Sequence, residues 1–223
     1  AITRRTAREP VSHITGTRLF WGRSFRVTPD TLDPRPETEI LVQAALSEPF
    51  LKLLDLGTGT GCILLSCLAG MPMATGTGTD IHPATLDVAT GNASTLGLSP
   101  RARFLLSDWF SAVTGRFDLI VSNPPYIAAE EMPALSPEVQ REPRRALTPE
   151  GDGLDAYRAI ARGAPARLMP QGRLIVEIGT RAEHIFAKLD DSAGGVFARL
   201  DEQSTIVGTR VEETANRILY TIE

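Results

Sequence analysis

Leu51-Lys-Leu-Leu-Asp-Leu-Gly-Thr-Gly-Thr-Gly61, running into Cys62-Ile-Leu-Leu-Ser-Cys-Leu-Ala69, decides the fold. A short apolar run that stops on an acid and three alternate glycines reads as a strand feeding a tight turn, and the apolar stretch behind it reads as a helix. Outward from this pair the same alternation repeats. Ala74–Asp80 reads as a second strand despite Gly76 and Gly78. Pro83–Leu96 reads as a helix with proline in its first turn, where a missing N–H costs nothing. Arg103–Asp108 and Phe117–Ser122 read as strands, Leu154–Leu168 as a helix, Gly172–Ile178 as a strand and Arg181–Leu189 as a helix. Val196–Leu200 and Arg217–Ile222 close the chain as strands with no clear helix between them. Upstream, a helical pattern starts at Pro36, and Ser24–Thr28 alternates like one strand of a short hairpin.

Regular β–α alternation predicts an α/β fold. The expected architecture is a doubly wound, seven-stranded, mostly parallel sheet covered on both faces, with an antiparallel edge strand and a small N-terminal β-hairpin. Residues 1–35 are expected to form a linker and hairpin segment, and residues 36–223 the main domain.

The 223 residues are 42% hydrophobic and 22% charged, ordinary proportions for a globular chain. A net charge of -4 argues against a dedicated nucleic-acid binder. No apolar run approaches the roughly 18 residues of a membrane span. The arginines of Ala1–Arg8 lead into no apolar run, so no secretory signal is read and the cytoplasm is expected. Cys62 and Cys67 are too far apart around a helix to pair, and no second pair accompanies them. They are expected to be buried thiols, with no metal site.

In an open α/β sheet, ligands bind at the carboxyl ends of the strands. Here Asp55, Asp80, Asp108 and Asn123 stand at four successive strand ends. The glycines Gly57, Gly59 and Gly61 let a backbone come close to a ligand. Their spacing is neither GxGxxG nor a P-loop, so they do not by themselves imply a pyrophosphate. A carboxylate at Asp80 suits the two hydroxyls of a ribose, and Asp108 with Trp109 and Phe110 suits an adenine. Asp and Asn also favour strand-ending turns; that accounts for any one of the four better than for all of them. In Val121-Ser-Asn-Pro-Pro-Tyr-Ile127 two prolines end a core strand abruptly, because neither has an N–H to give a sheet.

Together, Asp55–Gly61, Asp80, Asp108-Trp109 and Asn123-Pro-Pro-Tyr126 resemble the class I S-adenosylmethionine (SAM)-dependent methyltransferases, whose sheet is Rossmann-like. The tetrad is shared by enzymes that methylate planar amide or amino nitrogens. Further stretches resemble, in order, the HemK-type protein-(glutamine-N5) methyltransferases that act on peptide chain release factors. These are Pro10-Val-Ser-His-Ile-Thr-Gly16 with Phe20-Trp21, Pro34-Arg-Pro-Glu-Thr-Glu39, Arg141-Glu-Pro143, Gly151-Asp-Gly-Leu-Asp155 and Glu177-Ile-Gly179.

The resemblance implies SAM as cofactor and S-adenosylhomocysteine as product. Cofactor contacts are implied at Asp55, Gly57, Thr58, Gly59, Gly61, Asp80, Ile81, Asp108, Trp109 and Asn123. It implies catalytic roles for Asn123, Pro124, Pro125 and Tyr126, and substrate contacts at Arg35, Glu37, Asn123, Pro124 and Tyr126. Pro36, Glu37 and Glu39 read equally well as a plain helix start. The implied acceptor is the glutamine of the Gly-Gly-Gln motif of a release factor, which belongs to translation termination. A monomer is expected, with no stable nucleic-acid or membrane partner. The family's N-terminal helical domain is expected to be absent. The alternative is an adenine-N6 or guanine-N2 methyltransferase acting on DNA or RNA. That enzyme would call for a basic groove or a target-recognition domain, which neither net charge nor length supplies. An amide nitrogen is a poor nucleophile, so the residues must orient it: Asn123 Oδ1 and the Pro124 carbonyl as acceptors, Tyr126 against the flat amide. No general base is conspicuous, since His13, His82 and His184 are scattered.

Overall fold

Leu53 and Leu54 are neighbours, both fully buried, yet they belong to two separate hydrophobic clusters. Successive side chains of a strand point to opposite faces, so such a strand is the middle layer of three. Leu119 and Val121 likewise face one cluster and Ile120 the other; Ile175 faces the first, Leu174 and Val176 the second. Phe20, Phe25, Leu41, Leu64 and Leu68 cover the first face, while Leu154, Tyr157 and Ile160 cover the second.

The computed structural model describes residues 2–179, 209–214 and 217–222. Two short helices, α1 (Ile2–Thr6) and α2 (Val11–Thr15), precede a hairpin of β1 (Thr17–Phe20) and β2 (Arg23–Arg26). After a 3-10 turn at Pro36–Thr38 come α3 (Glu39–Leu46), β3 (Lys52–Leu56), α4 (Cys62–Gly70), β4 (Thr75–Asp80), α5 (Pro83–Thr95), β5 (Ala102–Leu106) and β6 (Phe117–Ser122). A long connection carrying α6 (Arg144–Leu147) leads to α7 (Asp155–Gly163), β7 (Leu168–Gly179), β8 (Thr209–Thr214) and β9 (Arg217–Ile222).

The seven-stranded sheet has the order β5-β4-β3-β6-β7-β9-β8. Its five strands from β5 to β7 are parallel. The closing hairpin forms one edge: β9 runs against both β7 and β8, so the outermost strand, β8, again runs with the rest. The chain builds outward from β3 to β5, then returns to lay β6 on the other side of β3. That reversal opens a crevice at the carboxyl ends of β3 and β6.

Several local outcomes have identifiable causes. Gly76 and Gly78 sit inside β4 because a Cβ at Gly76 would lie 2.5 Å from the Leu64 side chain, and one at Gly78 2.8 Å from the Thr58 hydroxyl. Helix α4 and the glycine loop pack where those side chains would be. Strand β5 ends at Leu106, so Asp108 stands in the following loop rather than in the strand. The helix expected over Leu154–Leu168 stops at Gly163, and a 3-10 turn containing Pro165 follows; proline cannot supply the N–H that continuing the helix requires. The strand paired with Arg217–Ile222 is Thr209–Thr214, which carried no sequence expectation. The expected helix Arg181–Leu189 and strand Val196–Leu200 lie outside the described residues.

The N-terminal hairpin turns at Trp21 and Gly22, both with positive φ (48° and 68°), as in a two-residue type I′ turn. Its Phe20 and Phe25 rings meet edge to face at 6.1 Å inside the first core cluster. Such a pair adds about 0.5–1.5 kcal/mol beyond its burial. Asn92 on α5 takes the place of a neighbouring strand: it accepts from the Arg26 N–H at 2.8 Å and donates to Arg26 O and Thr60 O. The hairpin is thereby fastened to the glycine loop.

Candidate active site

A cavity of about 620 Å³ opens at the carboxyl ends of the central strands, within the usual size of a small-molecule site. Gly57 and Gly59, between β3 and α4, form one wall. The loop is held from beneath: the Thr58 N–H donates to Thr79 O at 2.7 Å, and the Thr58 hydroxyl to Asp55 Oδ2 at 2.6 Å. Asp80 closes β4 with both oxygens engaged, accepting from the Gly59 N–H at 3.2 Å and the His82 N–H at 3.1 Å. Burial raises its pKa, partly offset by those two amides and by Arg145. Ile81 is exposed toward the cavity mouth, and Ser107, Asp108 and Trp109 follow from the β5 end. Trp109 holds a left-handed backbone (φ 47°), its carbonyl accepting from the Ser107 hydroxyl at 2.9 Å.

Further lining comes from β6 and its long connection. Asn123 and Pro125 line the cavity, with Arg144, Arg145, Thr148 and Glu150. The Asn123 Nδ2 donates to the Thr38 hydroxyl at 3.1 Å. The chain after Asn123 is pinned: Ile127 N–H donates to Leu147 O at 3.0 Å and Ala129 N–H to Gly151 O at 3.1 Å. Arg145 reaches across the mouth to donate to Asp30 O at 2.8 Å, tying the connection to the N-terminal segment.

Of the residues expected to touch a cofactor, the cavity wall brings together Gly57, Gly59, Asp80, Ile81, Asp108, Trp109 and Asn123. Asp55, Thr58 and Gly61 are not on it. Asp55 is fully buried, turned under the loop onto Thr58. Burial pushes its carboxyl up to about 7, against the opposing pull of the Thr58 hydroxyl and the Leu64 amide. Thr58 is itself 3% exposed, and Gly61 serves as the left-handed residue that starts α4. These three shape the loop from behind it.

Among the expected catalytic and substrate residues, Asn123 and Pro125 line the cavity, while Pro124 is buried and Tyr126 packs against the second core cluster. The Arg35 guanidinium is held by Glu142, whose other oxygen accepts from the Asp33 N–H at 3.1 Å. Arg35 therefore ties the Pro36–Thr38 turn to the Arg141-Glu-Pro143 stretch instead of facing the cavity. Glu37 is exposed in the first turn before α3, where an acid is favoured by the helix dipole. Sequence reasoning passed over Thr38, Asp30–Leu32 and Thr85, which reach the site only through tertiary packing. Cys62 and Cys67 are both buried free thiols, as expected, and burial pushes the Cys62 thiol up to about 12. No helix among the described residues is long and apolar enough to cross a membrane.

Comparison with known proteins places this geometry. Residues 30–154, more than half of the chain, match the family model "Methyltransferase small domain". A release factor glutamine methyltransferase of Cereibacter sphaeroides is 62% identical over 195 residues, covering 87% of this chain and 70% of that protein. The chain belongs to the release factor glutamine methyltransferase family. The Rhodospirillum rubrum member is 54% identical over 182 residues, 80% of this chain and 56% of its own length. This methyltransferase thus spans between about half and 70% of the relatives it matches. A solved methyltransferase from Pyrococcus furiosus, 17% identical, superposes with a TM-score of 0.67 over 99% of this chain and 98% of its own, which supports the fold.

The family implies SAM, and the residues present fit it. A left-handed glycine loop, a strand-end carboxylate at Asp80, an apolar face at Ile81 and an indole at Trp109 surround one cavity. That set offers amides, a carboxylate acceptor suited to a ribose, and stacking surfaces. The protein is a SAM-dependent methyltransferase.

Proposed function

We propose that this methyltransferase transfers a methyl group to the side-chain nitrogen of the glutamine in the Gly-Gly-Gln motif of a peptide chain release factor. The observation that carries the reading is Asn123. It stands at the end of β6, on the wall of the same cavity as Gly57, Gly59 and Asp80, with its amide nitrogen already committed to Thr38. Its Oδ1 is then left to accept from an incoming amide.

When bound, SAM supplies a methyl group on a positively charged sulfur. The Gly57–Gly59 backbone and Asp80 would hold the cofactor's polar groups, and Ile81 and Trp109 would offer surfaces for its base. Asn123 Oδ1 and the Pro124 carbonyl each accept one N–H of the glutamine, fixing its nitrogen in line with the methyl. Prolines 124 and 125 stiffen the direction of that carbonyl. The same two acceptors place partial negative charge where the nitrogen becomes positive during transfer. Bound there, SAM would supply an electrophilic methyl: its carbon–sulfur bond would break toward sulfur as the nitrogen bonds to carbon, and one N–H proton would leave to solvent. The reading takes residues 36–223 as the catalytic domain. It also takes the enzyme as a cytoplasmic monomer with neither nucleic acid nor membrane as a standing partner.

The test is Asn123→Ala, assayed with labelled SAM and an unmethylated release factor, with cofactor affinity measured by calorimetry. Transfer should be lost by about a hundredfold or more, as when one donor of a preorganised site is removed. SAM affinity should stay within a few-fold. Equal loss of both would contradict the assigned role.

A further inference from the structure

We infer that the Ser107 hydroxyl is a positioning group: it holds Trp109 in a left-handed backbone conformation and thereby sets the indole on the cavity wall where the cofactor's base would lie. The inference rests on the proposed reading of Trp109 as a surface for that base.

Trp109 has a φ of 47°. A positive φ is an outlier for a bulky side chain, and a residue keeps it only where its surroundings over-determine it. Relaxing φ to the ordinary negative range would turn the Cα–Cβ bond. The indole would move with it, and Trp109 now lines the cavity while packing against the second core cluster.

The groups that hold this conformation converge on one side chain. Ser107 is only 5% exposed, so little water competes for its hydroxyl. The hydroxyl lies 2.9 Å from Trp109 O and 3.0 Å from Ala112 N. A carbonyl only accepts and a backbone N–H only donates, so the direction of both bonds is fixed. The serine hydrogen goes to Trp109 O, and a lone pair takes the Ala112 N–H. Ser111 completes the brace: its Oγ accepts from the Asp108 N–H at 3.1 Å, and its own hydrogen can be given to Ser107 Oγ at 3.3 Å. The Ser107 N–H donates to Asp80 O at 3.0 Å. One residue thus spaces the loop that carries the indole from the strand end that carries the carboxylate suited to a ribose. Ser107 acts through Trp109, so it is a positioning residue and not a catalytic one.

The experiment measures S-adenosylhomocysteine affinity by calorimetry in wild type, Ser107→Ala, Trp109→Ala and the double variant, with thermal melting of each. The chain has two tryptophans, so a Trp21→Phe background leaves Trp109 as the only one. Its fluorescence is then read with and without saturating S-adenosylhomocysteine. Ser107→Ala should weaken binding by about tenfold, within what stacking of a base on an aromatic ring is worth. It should also remove most of the fluorescence change at saturation. With Trp109→Ala already in place, Ser107→Ala should cost less than about twofold, because residues that act through one another are not additive. A purely structural hydroxyl would weaken binding by the same factor in both backgrounds and leave the saturated fluorescence change as it was.

Wild-type affinity in Ser107→Ala, with Trp109→Ala binding weakly, would overturn the inference and leave the base-site reading standing. So would equal losses in the two backgrounds, or an undiminished fluorescence change. If Ser107→Ala fails to melt cooperatively, Ser107→Cys, which fills the same place with a weaker hydrogen-bonding group, carries the same readouts. Unchanged affinity in Trp109→Ala would overturn the reading of Trp109 as the base surface, and this inference with it. Both outcomes leave the proposed acceptor untouched, since no acceptor enters the measurement.

Discussion

Gly153→Ala adds one methyl group where backbone already stands. Gly153 has a φ of 82°, and a Cβ there would lie 2.5 Å from Tyr126 O, 3.1 Å from Ala128 N and 3.2 Å from Tyr126 C. None of these is the end of a flexible side chain, so one of the two segments must move. The left-handed conformation alone costs an L-residue roughly 1–2 kcal/mol. Forcing an extra methyl into packed structure adds roughly 1–3 kcal/mol. The sum is roughly 2–5 kcal/mol, which at about 2–4 °C per kcal/mol for a chain of this size lowers the melting temperature by about 4–20 °C. The displaced segment is the one that follows Asn123, and its ties to Leu147 and Gly151 would be strained together. Gly57 and Gly59, in the loop after β3, and Asp80, at the end of β4, belong to other parts of the sheet. Methyl transfer should therefore fall much further than SAM affinity. Calorimetric melting, SAM titration and a labelled transfer assay read the three quantities separately. A melting temperature within about 1 °C of wild type, too small for the strain reckoned here, together with normal turnover, would refute this account of how the loop is held.

Asp55 gives a pH signature. Its folded pKa of about 7 lies above the ordinary 3.8, so between these values the folded state keeps a proton that the unfolded chain has lost. Stability is then fullest below about pH 4 and falls as pH rises toward 7. Asp55→Asn carries no such charge. Its stability relative to wild type should improve by up to about 4 kcal/mol between pH 4 and pH 8, measured by urea unfolding; parallel curves for the two proteins would remove Asp55 as the source. Asp80→Ala should weaken SAM binding by roughly 1.5–3 kcal/mol, the range for hydrogen bonds to a charged group, and should also free the Gly59 N–H. An unchanged calorimetric affinity would exclude Asp80 from the ribose site.

The centre of the fold was legible because burial on both faces leaves a plain mark. Leu53, Leu54 and Leu56 form an apolar run interrupted only by the buried Asp55, and the glycines after it announce the turn. Part of the cavity wall was legible for a related reason: Asp80, Ile81 and Trp109 sit at or just beyond strand ends, where position along the chain nearly fixes position in space. Asp55 shows the limit of that rule. It too closes a strand, but its carboxyl found a partner three residues on, in Thr58, and turned away from the cavity. Thr38 was illegible because its significance lies in Asn123, 85 residues later. Arg145 could not be placed from the sequence because its partner, the Asp30 carbonyl, is 115 residues upstream. Nothing local to Arg35 announces its partner Glu142, 107 residues later.

The crevice between β3 and β6 is also a division of labour along the gene. Gly57 to Trp109, all upstream of β6, furnish the wall proposed for the methyl donor; Asn123 to Glu150, all downstream of β5, furnish the wall proposed for the acceptor. The short stretch from Asp30 to Thr38 touches both sides, through Asp30 O with Arg145 and Thr38 with Asn123, and Arg145 also reaches Thr85. A change of acceptor can thus be written almost entirely in one contiguous block of sequence without rewriting the block that holds the donor. The stretch that spans the divide is where a new acceptor would have to be reconciled with the old donor.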